Sequence, residues 1–315
     1  METDRVETRL SLPDKRVLLA FALMVVLGGG NAIAIRFTVM ELPPFWGAAL
    51  RFGGAAALLW AVVIVRRIPL PPRRAIPGTL LFGVLSFGVA WAFIYTGLRT
   101  VKPGMAQVLM ALTPLLTFFL AILHKQEAFR WRGLLGALVA MTGVGWVFID
   151  HLDANASVLP MLAIVAGAAC LGESLVLLKR LFGADPMMLN AVGMSTGAAF
   201  LLGLSRVTRE AWRLPTLRVT WLSILYVVVI GTVVFFSLLT FVVKHWSASA
   251  SSYGLVIMPL ETVALSAWIT GETLDAALLI GGALVLIGVW IGALSGGSSA
   301  GQSREMRADA MGEAD

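Results

Sequence analysis

Charge is what this sequence lacks most. Of its 315 residues only 13% are Asp, Glu, Lys or Arg, about half of the roughly 25% typical of soluble proteins. A water-facing surface cannot be assembled from so few, whereas a bilayer tolerates exposed Leu, Val and Ala. Cysteine is nearly absent too: Cys170 stands alone, which excludes an internal disulfide. The three histidines, His124, His151 and His245, fall at the ends of apolar runs, so no metal site is expected. Neither a Gly-x-x-x-x-Gly-Lys loop nor a His-Glu-x-x-His motif occurs, and no Gly-x-Ser-x-Gly elbow stands on a strand-turn-helix frame. ATP-driven pumping, zinc hydrolysis and serine hydrolysis therefore have no support, and no cofactor is implied.

What the chain has is hydrophobic length. Its mean hydropathy is +0.88 and 58% of its residues are apolar, arranged in runs near the roughly 20 residues that cross a membrane. We read ten spans: 17–40, 44–65, 76–98, 104–123, 131–149, 158–178, 186–204, 219–243, 249–269 and 276–294. The net charge of +6 does not point to nucleic acid, because the basic residues sit between the apolar runs and act as topology signals. With the N-terminus in the cytoplasm, sixteen Lys and Arg face inward and six outward. Both termini are expected inside, in a multi-pass integral membrane protein. The segment between the seventh and eighth spans, with Arg206, Arg209, Arg213 and Arg218, runs against the rule.

The chain also repeats. A shift of 145 residues sets Pro114-Leu115 on Pro259-Leu260, Thr117 on Thr262, Glu127 on Glu272, Gly136 on Gly281 and Gly143-Val144 on Gly288-Val289. A weaker match sets Gly30-Asn31 on Gly172-Glu173. Five spans is an odd number, so the second half is expected upside down relative to the first, the plan of many secondary transporters. The fold expected is an all-α membrane protein of two inverted five-helix repeats. An N-terminal segment, 1–16, precedes repeats at 17–150 and 157–294, and a disordered tail follows at 295–315.

With these residues in view the chain resembles the EamA type of drug/metabolite transporter. The resembling segments are Gly29-Gly30-Asn31 with Arg36, Ala49-Leu50-Arg51-Phe52, Tyr95-Thr96-Gly97-Leu98, and the stretch from Pro114 through Glu127 to Gly133, repeated near Pro259 to Glu272. The likeness spans Val17 to Leu294. It implies a ten-helix carrier of metabolites, often an exporter of amino acids or related compounds. Gly193 stands where the first half has Arg51, a departure from the repeat.

Ionisable groups inside spans cost about 2.5–3.5 kcal/mol each on insertion scales, so they are the first candidates for function. Glu261 lies near the middle of the ninth span and is read as a proton-coupling or substrate-binding carboxylate; its repeat mate is Leu116, so the scaffold does not require a charge there. Arg51 lies about 10 Å into the second span, at a depth where it could meet Glu261. It either holds an anionic group or forms a structural pair, and the pair is preferred. Glu173, equivalent to Asn31, is either a second titrating group or an interfacial one. Arg36 is read as snorkelling, and Glu127 and Glu272 as helix-start charges. Trp91 and Tyr95, with Gln107, Ser252 and Tyr253 at the openings of the fourth and ninth spans, suggest a pocket for a small organic solute; ordinary packing is the alternative. Gly136, Ala140, Gly143, Gly281, Gly288 and Gly292 form small-residue stripes for packing within the monomer or in a homodimer. Trp46, Trp131, Trp221 and Trp268 read as an interfacial belt. A membrane-embedded enzyme, or a receptor or scaffold, is the competing class.

Overall fold

The computed structural model describes residues 15–126, 129, 131–150, 158–178, 181, 185–235, 238, 242, 254–271 and 276–291. All regular structure among them is helical. The helices are α1 Lys15–Glu41, α2 Pro44–Arg66, α3 Ile76–Gly83, α4 Ala90–Gly97, α5 Pro103–Met110, α6 Thr113–Leu123, α7 Trp131–Asp150, α8 Leu159–Leu178, α9 Pro186–Val207, α10 Arg218–Leu225, α11 Gly254–Thr270 and α12 Ala276–Val289. Among the described residues, six continuous segments are long and apolar enough to cross a membrane: Lys15–Glu41, Pro44–Arg66, Arg73–Gly97, Pro103–Leu123, Leu159–Leu178 and Pro186–Val207.

Local chemistry sets the boundaries. Pro44, Pro103 and Pro186 open α2, α5 and α9, where a missing N–H costs nothing and φ is already helical. Asp185 caps α9 by accepting from the backbone N–H groups of Met187 and Met188. The fourth span, expected as one helix, breaks at Ala111–Leu112. Pro114 has no N–H to offer the Met110 carbonyl four residues back, and the Thr113 hydroxyl donates to that carbonyl instead, at 2.6 Å. The third helical run of each half contains a π-helical stretch, Val84–Val89 between α3 and α4 and Tyr226–Val234 after α10. Such wide turns re-aim backbone carbonyls away from the regular ladder.

The two halves embrace each other. Helix α2 packs on α9 and α7 on α12. Helix α1 packs on α10, its π stretch and α11, while α8 packs on α4, the π stretch before it and α6. Each pairing has its counterpart with the halves exchanged. At the α7–α12 contact the exchange reaches single atoms. A Cβ on Gly143 would stand 2.5 Å from the Gly281 carbonyl oxygen, and one on Gly288 would meet the Gly136 carbonyl. Gly136 is the repeat mate of Gly281, and Gly143 that of Gly288. These stripes are therefore used inside the monomer, where small residues let backbones approach.

The main buried core runs through both halves and includes Phe52, Phe82, Phe87, Ile94, Tyr95, Leu109, Met188, Met194 and Leu201. A smaller, separate cluster of Leu42, Ile224 and Val228, with Trp46, Leu50 and Val229 against it, lies between α2 and α10.

Candidate functional site

Arg51 is only 2% exposed. It sits about a third of the way along α2, where Phe52 and Trp91 form an aromatic wall. Its guanidinium carbon is 4.2 Å from the centroid of Trp91 and 5.0 Å from that of Phe52, a cation–π arrangement strengthened by exclusion of water. Nε donates to the Thr232 hydroxyl at 3.3 Å and Nη2 to the Gly231 carbonyl at 3.5 Å. Both acceptors belong to the π stretch of the other half. Asn31 on α1 donates to the same Gly231 carbonyl at 3.4 Å. Trp91 meets Tyr95 edge-on at 6.2 Å, and the Tyr95 hydroxyl lies beside the guanidinium.

The hydrogen bonding here is incomplete. Arg51 Nη1, Tyr95 Oη and Asn31 Oδ1 are buried without partners among the described residues. Buried polar groups are normally satisfied, and each orphan costs about 1–3 kcal/mol. Two donors left open in one neighbourhood, one of them on a cation, make a place for an anionic group carrying its own acceptors, while the open amide oxygen of Asn31 would need a donor.

Glu261 of α11 occupies the other side of the same turn of α1. Its carboxylate lies against Gly29, where any Cβ would overlap it, and neither oxygen has a partner among the described residues. The next residue, Thr262, donates from its hydroxyl to the Gly29 carbonyl at 2.8 Å, and Tyr226 donates to the Leu27 carbonyl at 2.6 Å. A Cβ on Gly30 would stand 2.5 Å from the Tyr226 hydroxyl, and one on Gly28 as close to Met258 Cε. The glycines before Asn31 thus strip α1 of side chains so that α11 and Tyr226 can reach its backbone. Positions 29 and 31 project in different directions from a helix. This accounts for the absence of the expected Arg51–Glu261 pair: among the described residues Arg51 makes no ion pair, and α1 separates the two groups. The preferred reading of Arg51 as half of a structural pair is corrected accordingly.

Other expectations resolve differently. Glu173 pairs with His124 at 2.7 Å, joining α8 to the end of α6; its second oxygen has no partner among the described residues. His124, at the end of its apolar run, is therefore an ion-pair partner rather than a bystander. Gln107 is half-buried on α5, a helix that packs on α1, α8 and α11. Ser252, Tyr253, Glu127 and Glu272 lie outside the described residues. Arg36 does not snorkel freely: it donates to the Leu98 carbonyl at the end of α4, where a cation meets the negative end of the helix. Among the described residues no three His, Cys, Asp or Glu side chains gather to hold a metal. Reading the sequence alone missed Gly231 and Thr232, which reach Arg51 only because of the π stretch. It also missed Glu41 and Glu210, whose carboxylates cap helices of the opposite half.

The chain as a whole has counterparts among known proteins. A solved crystal structure superimposes with a TM-score of 0.61 at 20% identity, covering 89% of this chain and 98% of that one, which shows a shared fold. The chain is 27% identical over 262 residues to a protein of Escherichia coli named an uncharacterized inner membrane transporter, YedA, covering 81% of this chain and 83% of the relative. It is 24% identical over 295 residues to a probable amino-acid metabolite efflux pump of Salmonella typhimurium, covering 85% and 92%. The model of the EamA-like transporter family matches twice, at residues 15–149 and 158–293, so this multi-pass integral membrane protein belongs to the EamA-like transporter family.

Proposed function

We propose that the protein is a secondary carrier that moves a small carboxylate-bearing metabolite, an amino acid or close relative, out across the bacterial inner membrane. Arg51 carries this reading. It is a buried cation with no ionic partner among the described residues, and its Nη1 is open beside the open Tyr95 hydroxyl. A solute carboxylate would take both donors, while Trp91 and Phe52 hold the guanidinium plane. The name of the Salmonella relative supports the amino-acid class, and that of YedA the inner membrane.

The exchange of helix contacts between halves supports ten spans arranged as two inverted repeats, 17–150 and 157–294, and the inward excess of Lys and Arg supports cytoplasmic termini. Alternating access then consists of the halves rocking about the site. Glu261 serves as the proton-coupling group, since α1 separates it from Arg51 and it contacts the same helix turn. An enzyme, receptor or scaffold would need no such open cation between two mobile halves.

Purified protein in sealed vesicles tests the proposal. Vesicles loaded with unlabelled amino acids should accumulate the labelled compound by counterflow with no ATP on either side. Flux that appears only with ATP, or no flux across an amino-acid panel, would refute the carrier reading.

A further inference from the structure

The segment from Thr208 to Leu217, joining α9 to α10, is the one whose four nearby arginines run against the charge rule. It is a strap bound to the first half of the chain. Glu210 accepts from the backbone N–H groups of Phe45 and Trp46, at 3.2 and 2.9 Å, and so caps the start of α2. The Trp46 indole stacks on Trp212, with centroids 5.3 Å apart and planes 8° from parallel, and donates to the Arg213 carbonyl at 2.7 Å. In return Glu41, at the end of α1, accepts from the Thr216 hydroxyl at 2.6 Å and the Leu217 N–H at 3.2 Å, where α10 begins. Each half supplies a carboxylate that caps a helix of the other.

The two helices tied in this way are those that hold the site. Helix α2 carries Arg51 five residues beyond Trp46, roughly 7–8 Å along the axis. Helix α10 runs on into the π stretch with Gly231 and Thr232. Between strap and site lies the small cluster of Leu42, Ile224 and Val228 with Leu50, separate from the main core. A cleft of about 300 Å³, lined by Glu41, Arg99, Glu210 and Arg213 among others, opens beside the strap. The equivalent connection of the first half, residues 67–72, has neither a carboxylate nor an aromatic residue.

We infer that the 208–217 strap and the apolar plug beneath it form the gate at this end of the transport path. Releasing the two reciprocal caps and the Trp46–Trp212 stack parts α2 from α10 and opens Arg51 to solvent without disturbing the main core. The inference rests on the carrier reading, yet its test does not require transport. In full-length protein in sealed vesicles, with Cys170→Ser as background, Leu50→Cys in the plug reports access to a membrane-impermeant maleimide. Ala140→Cys, in the α7–α12 contact, is the control. Adding Glu210→Ala and Trp212→Ala should raise labelling at position 50 at least about tenfold and leave position 140 unlabelled. Unchanged labelling at 50 would overturn the gate. Equal increases at both positions would also overturn it, because the strap would then be a staple for the whole fold. Counterflow without ATP decides the carrier reading separately.

Discussion

Arg51→Leu should lose counterflow by about a hundredfold while the protein melts no lower than the wild type. The first effect follows from removing the only cation described at the site, since deleting one side of a buried charged contact costs about 2–5 kcal/mol. The second follows from the same isolation. A buried guanidinium without a counter-ion carries an uncompensated desolvation penalty, and an apolar side chain of similar volume removes it. Arg51→Lys should fail nearly as badly. A single ammonium cannot stack on Trp91, reach Thr232 and Gly231, and still present a second donor to a solute. The measurement is counterflow paired with thermal unfolding in detergent. A large fall in melting temperature together with retained transport would make Arg51 a structural residue.

Glu261→Gln should separate coupling from binding. Wild-type protein is expected to move its solute faster when a pH gradient is imposed. One unit of pH supplies about 1.4 kcal/mol per proton, which limits accumulation to about tenfold for a single coupled proton. The Gln variant keeps the shape of the side chain against Gly29 and cannot exchange a proton. Its flux should be the same with and without the gradient, and its solute affinity should stay within about threefold of wild type, because Arg51 lies on the other side of α1. If the variant still responds to the gradient, Glu261 is not the coupling group.

Much of this was legible in the sequence because membrane helices announce themselves by apolar length, and because the repeat sets unlike residues such as Pro, Thr and Gly in register. Asn31, Arg51, Trp91 and Tyr95 come together as polar or aromatic residues inside spans do when they turn away from lipid. The pairing of Arg51 with Glu261 was misread because depth alone was weighed. Position around α1, set by Gly29 against Asn31, is what keeps them apart. The partners of Arg51 in the other half were invisible for a different reason. Gly231 and Thr232 look like ordinary span residues, and only the π stretch aims them inward. The strap went unseen because Glu41 and Glu210 are distant in sequence from the backbone N–H groups they cap, and the surplus arginines drew attention to charge counting. The His124–Glu173 pair is non-local in the same way.

The most direct test of the central claim is the affinity of purified protein for amino acids and for their carboxamides, measured by titration calorimetry. If the open Arg51 and Tyr95 donors form the solute site, at least one free acid binds and its carboxamide binds at least about thirtyfold weaker, the loss of roughly 2 kcal/mol expected when a charged hydrogen-bond acceptor is replaced by a neutral one. A carboxamide that binds as tightly as its acid would contradict the account.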